Sequence, residues 1–276
     1  MMIAFNGRGS TVGRQDDADA LDATLMEQLL PPSAVRALSA WLSGTGAPYA
    51  AGAGSQAVPY VPGRWSGIEP WPDQFPERSH ADVVTVDRAQ VVEAVREAAA
   101  RGEWARALVA SYVWGQGRTG YGPHRLRAVL AEPNLSDVLA RAGTALRSEG
   151  AVEAYRLLSG AVRGWGPAFF TKYLYFLSVA TDAPGTPRAL ILDQRVARVL
   201  RARATRVGLD AEVASAPDTA AWTWSDAGWT AHRYGVYLRW MDAAAGQLAR
   251  SGAGWPAARP DLLELALFSG AWNPAE

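Results

Sequence analysis

The chain has 276 residues, of which 49% are hydrophobic, and 27 basic residues balance 27 acidic ones. That is enough apolar material for a real core. No run of 18 or more apolar residues is present, so the sequence predicts no membrane span. Residues 1–22 show no apolar run behind basic residues and do not read as a signal peptide. With no cysteine, disulfides, thiolate metal sites, iron–sulfur clusters and a cysteine nucleophile are excluded. A cytoplasmic monomer without a cofactor or metal is expected.

Charge is uneven. Residues 147–206 carry ten Lys and Arg against four Asp and Glu. Such an island suits either a polyanion partner or a solvated helix face. The type of basic residue is more telling. Of the 27 basic residues 26 are arginine, and the one lysine is Lys172. Arginine does not deprotonate usefully, whereas a lysine with a lowered pKa becomes an amine nucleophile. A chain that has replaced every other lysine marks this one as a candidate.

In chain order, residues 1–20 are polar and aperiodic and predict a disordered tail. Residues 21–43 read as a helix pair broken at Pro31-Pro32, with Ser33 as a cap. Residues 44–79, rich in Gly, Pro and Trp, predict an irregular wrap that buries Trp65, Trp71 and Phe75. Apolar residues at helical spacing then predict helices over 86–100 and 104–114. A Gly-rich loop, 115–123, separates these from helices over 124–131, 135–148 and 151–158. A tight turn at Arg163-Gly164-Trp165-Gly166 leads into a helix from Pro167 to about Ala180. A loop over 182–187 precedes the apolar run Ala189-Leu190-Ile191-Leu192, then Asp193 and a helix from Gln194 to about Val207. A Trp-rich helix within 218–250 and a short one over 261–268 complete the chain. No strand is predicted. The class is mostly α, with three parts: a tail at 1–20, a helical and irregular N-terminal segment at 21–85, and a helical core at 86–276.

Two segments carry chemistry. In the first, Gly164 and Gly166 allow a tight turn and close backbone approach, and Pro167 suits the first position of the next helix. Free amides at that helix start can hold a phosphate oxygen. In the second, about twenty residues after Lys172, Asp193 stands behind three apolar residues as a helix cap. A carboxylate there is placed for charge work beside apolar walls. Each segment alone is also what a packing turn or a plain cap would look like.

Together the segments resemble the helix-hairpin-helix DNA glycosylase superfamily, within it the 8-oxoguanine glycosylase branch. The resemblance is clearest over about 105–207. The run from Gly166 to Lys172, Leu192-Asp193, and the segment 262–268 look most like a bacterial, largely actinobacterial set of that fold. That set includes members acting against phages with modified DNA bases. The resemblance implies that Gly164, Trp165 and Gly166 form a hairpin gripping DNA phosphates. It implies Lys172 as the amine that attacks the sugar and Asp193 as the assisting acid. The family's lysine falls two residues after the second glycine, where this chain has Ala168; Lys172 lies one helical turn later, on the same face.

The implied reaction is extrusion and excision of a damaged or modified base from double-stranded DNA. Candidate substrates are 8-oxoguanine and a phage-type modified cytosine. A Schiff base would follow if Lys172 attacks C1′, and a monofunctional glycosylase would use Asp193 alone. The superfamily places space-filling residues about 50 residues before the hairpin, which brings in Gln116, Arg118 and Tyr121. Arg195 and Arg198 are expected on phosphates or solvent. Aromatic walls are expected from among Trp165, Phe169, Tyr173, Trp229, Trp240 and Phe268. The alternative is a non-catalytic DNA-binding module that keeps the hairpin alone.

Overall fold

The computed structural model describes residues 9–51, 56–79, 82–118, 120–183, 187–213, 215–252, 254–257 and 259–274. It is helical, with a single pair of three-residue strands among the described residues. The chain divides into two compact units. One unit, here the hairpin unit, comprises 47–192 and 230–238. The other, the terminal unit, comprises 1–46, 193–229 and 239–276. No described helix is long and apolar enough to cross a membrane.

The hairpin unit begins with α3 (Ala47–Ala50), β1 (Val58–Tyr60), a 3-10 turn at Pro62–Trp65 and β2 (Val84–Val86). The strands pair antiparallel, Val58 opposite Val86. Sequence patterning found neither strand, because three residues are too few to establish an alternation. Two of the three large side chains expected to bury in the irregular wrap do so, Trp65 edge-on to Tyr112 and Phe75 against Tyr60 and Trp71, whereas Trp71 is only half-buried. Asp87 starts α4 (Arg88–Ala100) through a reciprocal capping box with Gln90. Then follow α5 (Trp104–Gln116), α6 (Gly122–Leu130), α7 (Leu135–Ser148), α8 (Ala151–Leu158) and α9 (Pro167–Ala180).

Helix α9 is central to this unit. It packs against α4, α5, α7 and α8, and its buried residues run almost all the way round, from Phe170 to Ala180. A helix apolar on every side has to be enclosed by others. Tyr155 of α8 is held between the rings of Phe170 and Tyr234, at centroid distances of 4.7 and 4.5 Å.

In the terminal unit, α1 (Gly9–Glu27) occupies much of the stretch expected as a tail; residues 1–8 of that stretch lie outside the described residues. The helix begins well before the start expected at residue 21, because the apolar stripe of its first half is thin; Ala18, Leu21 and Leu25 are fully buried where it packs with α10 (Gln194–Asp210) and α11 (Ala216–Thr223). Helix α2 (Pro32–Ser43) starts at Pro32, one residue before the expected cap Ser33, and no side chain caps it. The expected Trp-rich helix is two helices, α11 and α12 (Ala231–Arg250), interrupted by 224–230; α12 belongs to the hairpin unit up to residue 238 and to the terminal unit from residue 239. The last is α13 (Pro260–Phe268). Arg203 of α10 is 7% exposed and donates to the carbonyls of Leu29 (3.0 Å) and Gln28 (2.7 Å), so the chain leaving α1 is fixed to α10. Gly208 permits the same close approach, since a Cβ there would stand 2.7 Å from Leu21 Cδ1 and 2.6 Å from the Ala216 Cβ.

Candidate functional site

The hairpin is α8, the turn 159–166 and α9. Gly164 has φ +76°, the left-handed region that favours glycine, and open space where a side chain would be. Gly166 is the N-cap of α9, and its carbonyl accepts from the amides of Phe169 (2.9 Å) and Phe170 (3.1 Å). Pro167 opens the helix as expected. Among the described residues the amides of Gly164 and Gly166 have no backbone partner, so both remain available to an anion at the positive end of α9. Trp165 differs from the expectation. Its ring is 3% exposed and packs edge-on to Phe170 and Tyr173, while its amide donates to Val162 O at 3.3 Å. The large apolar ring is worth more in the core than in water, so this residue braces the hairpin from inside.

Lys172 sits on the second turn of α9, half-buried. Its Nζ reaches back one turn and donates to the carbonyl of Ala168 at 2.5 Å. The amine therefore lies over the position at which the resemblance placed the family's lysine. It also stands 5.4 Å from the ring centroid of Phe169, a cation–π arrangement. Phe169 in turn stacks on Tyr112 of α5, with centroids 4.5 Å apart and planes 18° from parallel. Burial pushes the Tyr112 hydroxyl pKa up, against a smaller opposing pull from Arg125.

Gly115 explains how the lysine stem fits. This residue was expected in a loop, but α5 runs through it to Gln116. A Cβ on Gly115 would lie 2.6 Å from Lys172 Cδ, closer than real contacts permit. A glycine costs about 1 kcal/mol relative to alanine inside a helix, and here its missing side chain is the space the lysine occupies. Sequence reading passed over Gly115, Tyr112 and Thr171. The available signal was a glycine one position before the end of an otherwise apolar helix.

The run Ala189–Leu192 is buried and neither helix nor strand, so its peptide groups need partners. Side chains supply them. The Tyr234 hydroxyl accepts from Leu190 N (3.2 Å) and donates to Leu190 O (2.9 Å). Tyr237 donates to Ile191 O at 2.6 Å, and Thr171 Oγ1 accepts from Leu192 N at 3.2 Å. The run Ala189–Leu192 is thus fixed within the hairpin unit.

Asp193 begins the second stretch of the terminal unit and is the N-cap of α10, as expected. One carboxylate oxygen accepts from the amides of Arg195 (2.9 Å) and Val196 (3.1 Å). The cap holds the rotamer and leaves the second oxygen outside these two bonds.

The remaining residues separate into distinct settings. In the hairpin unit, Gln116 lies folded so closely against Gly122 that a Cβ there would clash with its Cγ. Arg118 is exposed and its carbonyl accepts from Arg64 at 3.4 Å. Tyr121 is 76% exposed, an unusual position for an aromatic ring. In the terminal unit, the Arg195 guanidinium lies over the Phe268 ring at 4.9 Å. Both border an open groove of about 720 Å³ between α10 and the chain after α13. Arg198 is engaged elsewhere: it donates to both oxygens of Asp226 (3.1 and 2.5 Å), which also accepts from Gln194 and Arg201. The Arg198 and Gln194 hydrogen bonds hold the Asp226 carboxyl down at about 2. Trp229 and Trp240 are buried, with 4% and 0% exposure, and are core.

Half of the basic residues of the island are ion-paired, two of them inside the island and three with carboxylates beyond it. Arg156 pairs with Glu153, Arg188 with Asp182, Arg198 and Arg201 with Asp226, and Arg206 with Asp210.

A comparison with protein-family models matches residues 51–268 to the family described as "Putative 8-oxoguanine DNA glycosylase OGG-like protein". No curated protein and no solved structure matches the chain.

Proposed function

The chain belongs to the OGG-like 8-oxoguanine DNA glycosylase family, and from that premise we propose that it excises a damaged or modified base from duplex DNA with Lys172 and Asp193 as its reacting groups. Membership supports a DNA glycosylase type of function and DNA binding. The observation that carries the residue assignment is the position of the only lysine: its Nζ is held at the Ala168 carbonyl, on the first turn of the second hairpin helix.

In this reading the hairpin amides of Gly164 and Gly166 hold a backbone phosphate beside the extruded nucleotide. As the bond from C1′ to the base nitrogen breaks, positive charge develops on the sugar. The carboxylate of Asp193 opposes that charge. Lys172, once deprotonated, attacks C1′ through Nζ; the electron pair of the glycosidic bond leaves with the base, which takes up a proton. Opening of the sugar then gives a Schiff base and the route to strand cleavage. Where Lys172 only orients the sugar, water attacks instead and the enzyme is monofunctional. Tyr121 is the ring most available to occupy the space left by the extruded base, with Gln116 and Arg118 beside it in the chain. Arg195 serves as a phosphate contact. The candidate bases are 8-oxoguanine, which the family description favours, and a modified cytosine of the phage type, which would make the protein a defence enzyme.

The test is borohydride trapping on duplexes carrying 8-oxoguanine, uracil, methylated bases or glucosylated hydroxymethylcytosine, with released base followed by mass spectrometry. A trapped adduct that Lys172→Arg abolishes would establish the lyase and name the substrate. Base release without an adduct would assign a monofunctional enzyme. Neither signal on any duplex would leave the chain a DNA-binding module without chemistry.

A further inference from the structure

The 3-10 turn of the wrap and the α5–α6 connection lie against each other. A Cβ on Gly117 would stand 2.8 Å from Val58 Cγ1 and 3.4 Å from Pro59 O. Arg64 donates to Arg118 O at 3.4 Å, and Arg127 reaches from α6 to Ser66 O at 2.7 Å. These contacts bring Arg64 to the backbone of Arg118 and Arg127 to the 3-10 turn, Arg118 and Arg125 flank Tyr121 in the chain, and all four arginines and the Tyr121 ring are exposed. Among the described residues none of the four guanidinium groups pairs with a carboxylate. Other arginines, from the wrap to the start of α5, behave differently: Arg78 pairs with Glu69, Arg96 with Glu93, and Arg101 and Arg106 with Asp73. The cluster also adjoins the lysine, because the connection begins two residues after Gly115, which touches the Lys172 stem.

We propose that this face is a second phosphate-binding surface for duplex DNA, formed jointly by Arg64 of the wrap with Arg118 and Arg125 of the α5–α6 region. It gives the irregular N-terminal segment a function: the 3-10 turn carries a cation to a site that the helices alone would leave one short. Four unneutralised cations on one face have a steep attraction for a polyanion. Arginine suits phosphate through its bidentate donor geometry. An exposed aromatic ring among them matches a base-stacking or wedging contact rather than a purely electrostatic one. Tyr121 and Arg125 stand one turn apart, the Arg125 amide donating to Tyr121 O at 3.0 Å, so a ring inserted in the duplex brings that arginine to the flanking phosphates. The inference rests on the DNA glycosylase reading.

The experiment is equilibrium binding of the full chain to a fluorescent duplex over a range of salt concentrations. It compares the wild type with the triple variant Arg64→Ala/Arg118→Ala/Arg125→Ala and its all-lysine counterpart. Removing one phosphate-binding cation should lower the slope of log K against log salt by about 0.9. The alanine variant should therefore drop by about two to three slope units and at least ~10-fold in affinity at ~0.1 M salt. The lysine variant should recover most of the slope. Arg96→Ala, which removes a cation already paired with Glu93, should leave it unchanged. Binding by the wild type with an unchanged slope in the folded triple variant would overturn this surface and leave the glycosylase reading standing. Absence of wild-type binding to any duplex would overturn both. Arg127 is kept because its guanidinium holds the Ser66 carbonyl.

Discussion

Thr171 and Leu192 are joined through a single hydroxyl: Thr171 Oγ1 accepts from Leu192 N at 3.2 Å while donating to Pro167 O at 2.7 Å in its own helix. The pairing lies within the hairpin unit and ties the residue before Lys172 to the last residue of the run Ala189–Leu192.

Thr171→Val removes the hydroxyl, retains the shape and leaves the buried Leu192 amide without its acceptor. An unsatisfied buried donor costs about 1–3 kcal/mol. Denaturant unfolding should register that loss, and single-turnover excision should fall as well. Thr171→Ser should restore both. Wild-type stability in the valine variant would mean that the bond plays no part in holding the run Ala189–Leu192.

Gly115→Ala adds one methyl group to α5 at a distance of 2.6 Å from Lys172 Cδ. On an open helix the change would stabilise by about 1 kcal/mol. Here the lysine stem has to move, so borohydride trapping or excision should fall by ~10-fold or more, whereas DNA affinity stays within about twofold. An unchanged rate would show that Gly115 merely accommodates packing.

At Asp193, cap and charge can be separated. Asn is as good an N-cap as Asp, so Asp193→Asn should alter stability by only a few tenths of a kcal/mol, while Asp193→Ala loses about 1 kcal/mol. Excision should be abolished by both. Release of base at the wild-type rate by Asp193→Asn would remove this residue from the chemistry.

Asp226 gives the terminal unit an acid-sensitive contact. Its carboxyl is held at about 2 by Arg198 first and Gln194 second, below the usual unfolded value of about 3.9. A depressed carboxylate stabilises the fold above the unfolded value, and that contribution is lost as pH falls from about 4 through about 2. Thermal unfolding followed from pH 5 to pH 2 should therefore decline less steeply in Asp226→Asn than in the wild type. Parallel curves would show that the exposed ion pair adds nothing measurable.

Much of the hairpin was legible without coordinates. Glycines two apart, a proline to open the next helix and an aspartate in front of a helical pattern are local signals, governed by backbone torsions and caps that act within a few residues. The sole lysine was a compositional signal. These sufficed to resemble a family, and the match over 51–268 places the chain in it.

Tertiary structure decided the rest, because the deciding contacts join residues at no regular spacing, most of them far apart in sequence. Whether Trp165 reaches DNA or core depends on Phe170 and Tyr173. Whether Arg198 is an available cation depends on Asp226, 28 residues away. The role of Gly115 is invisible until Lys172 crosses it, and β1 and β2 stand 24 residues apart with three residues each. Sequence alone set the local conformations and the inventory of reactive groups. Packing determined which cations were neutralised, which rings were buried and where the one amine was held, since those outcomes follow from charge pairing and burial between segments with no regular spacing along the chain.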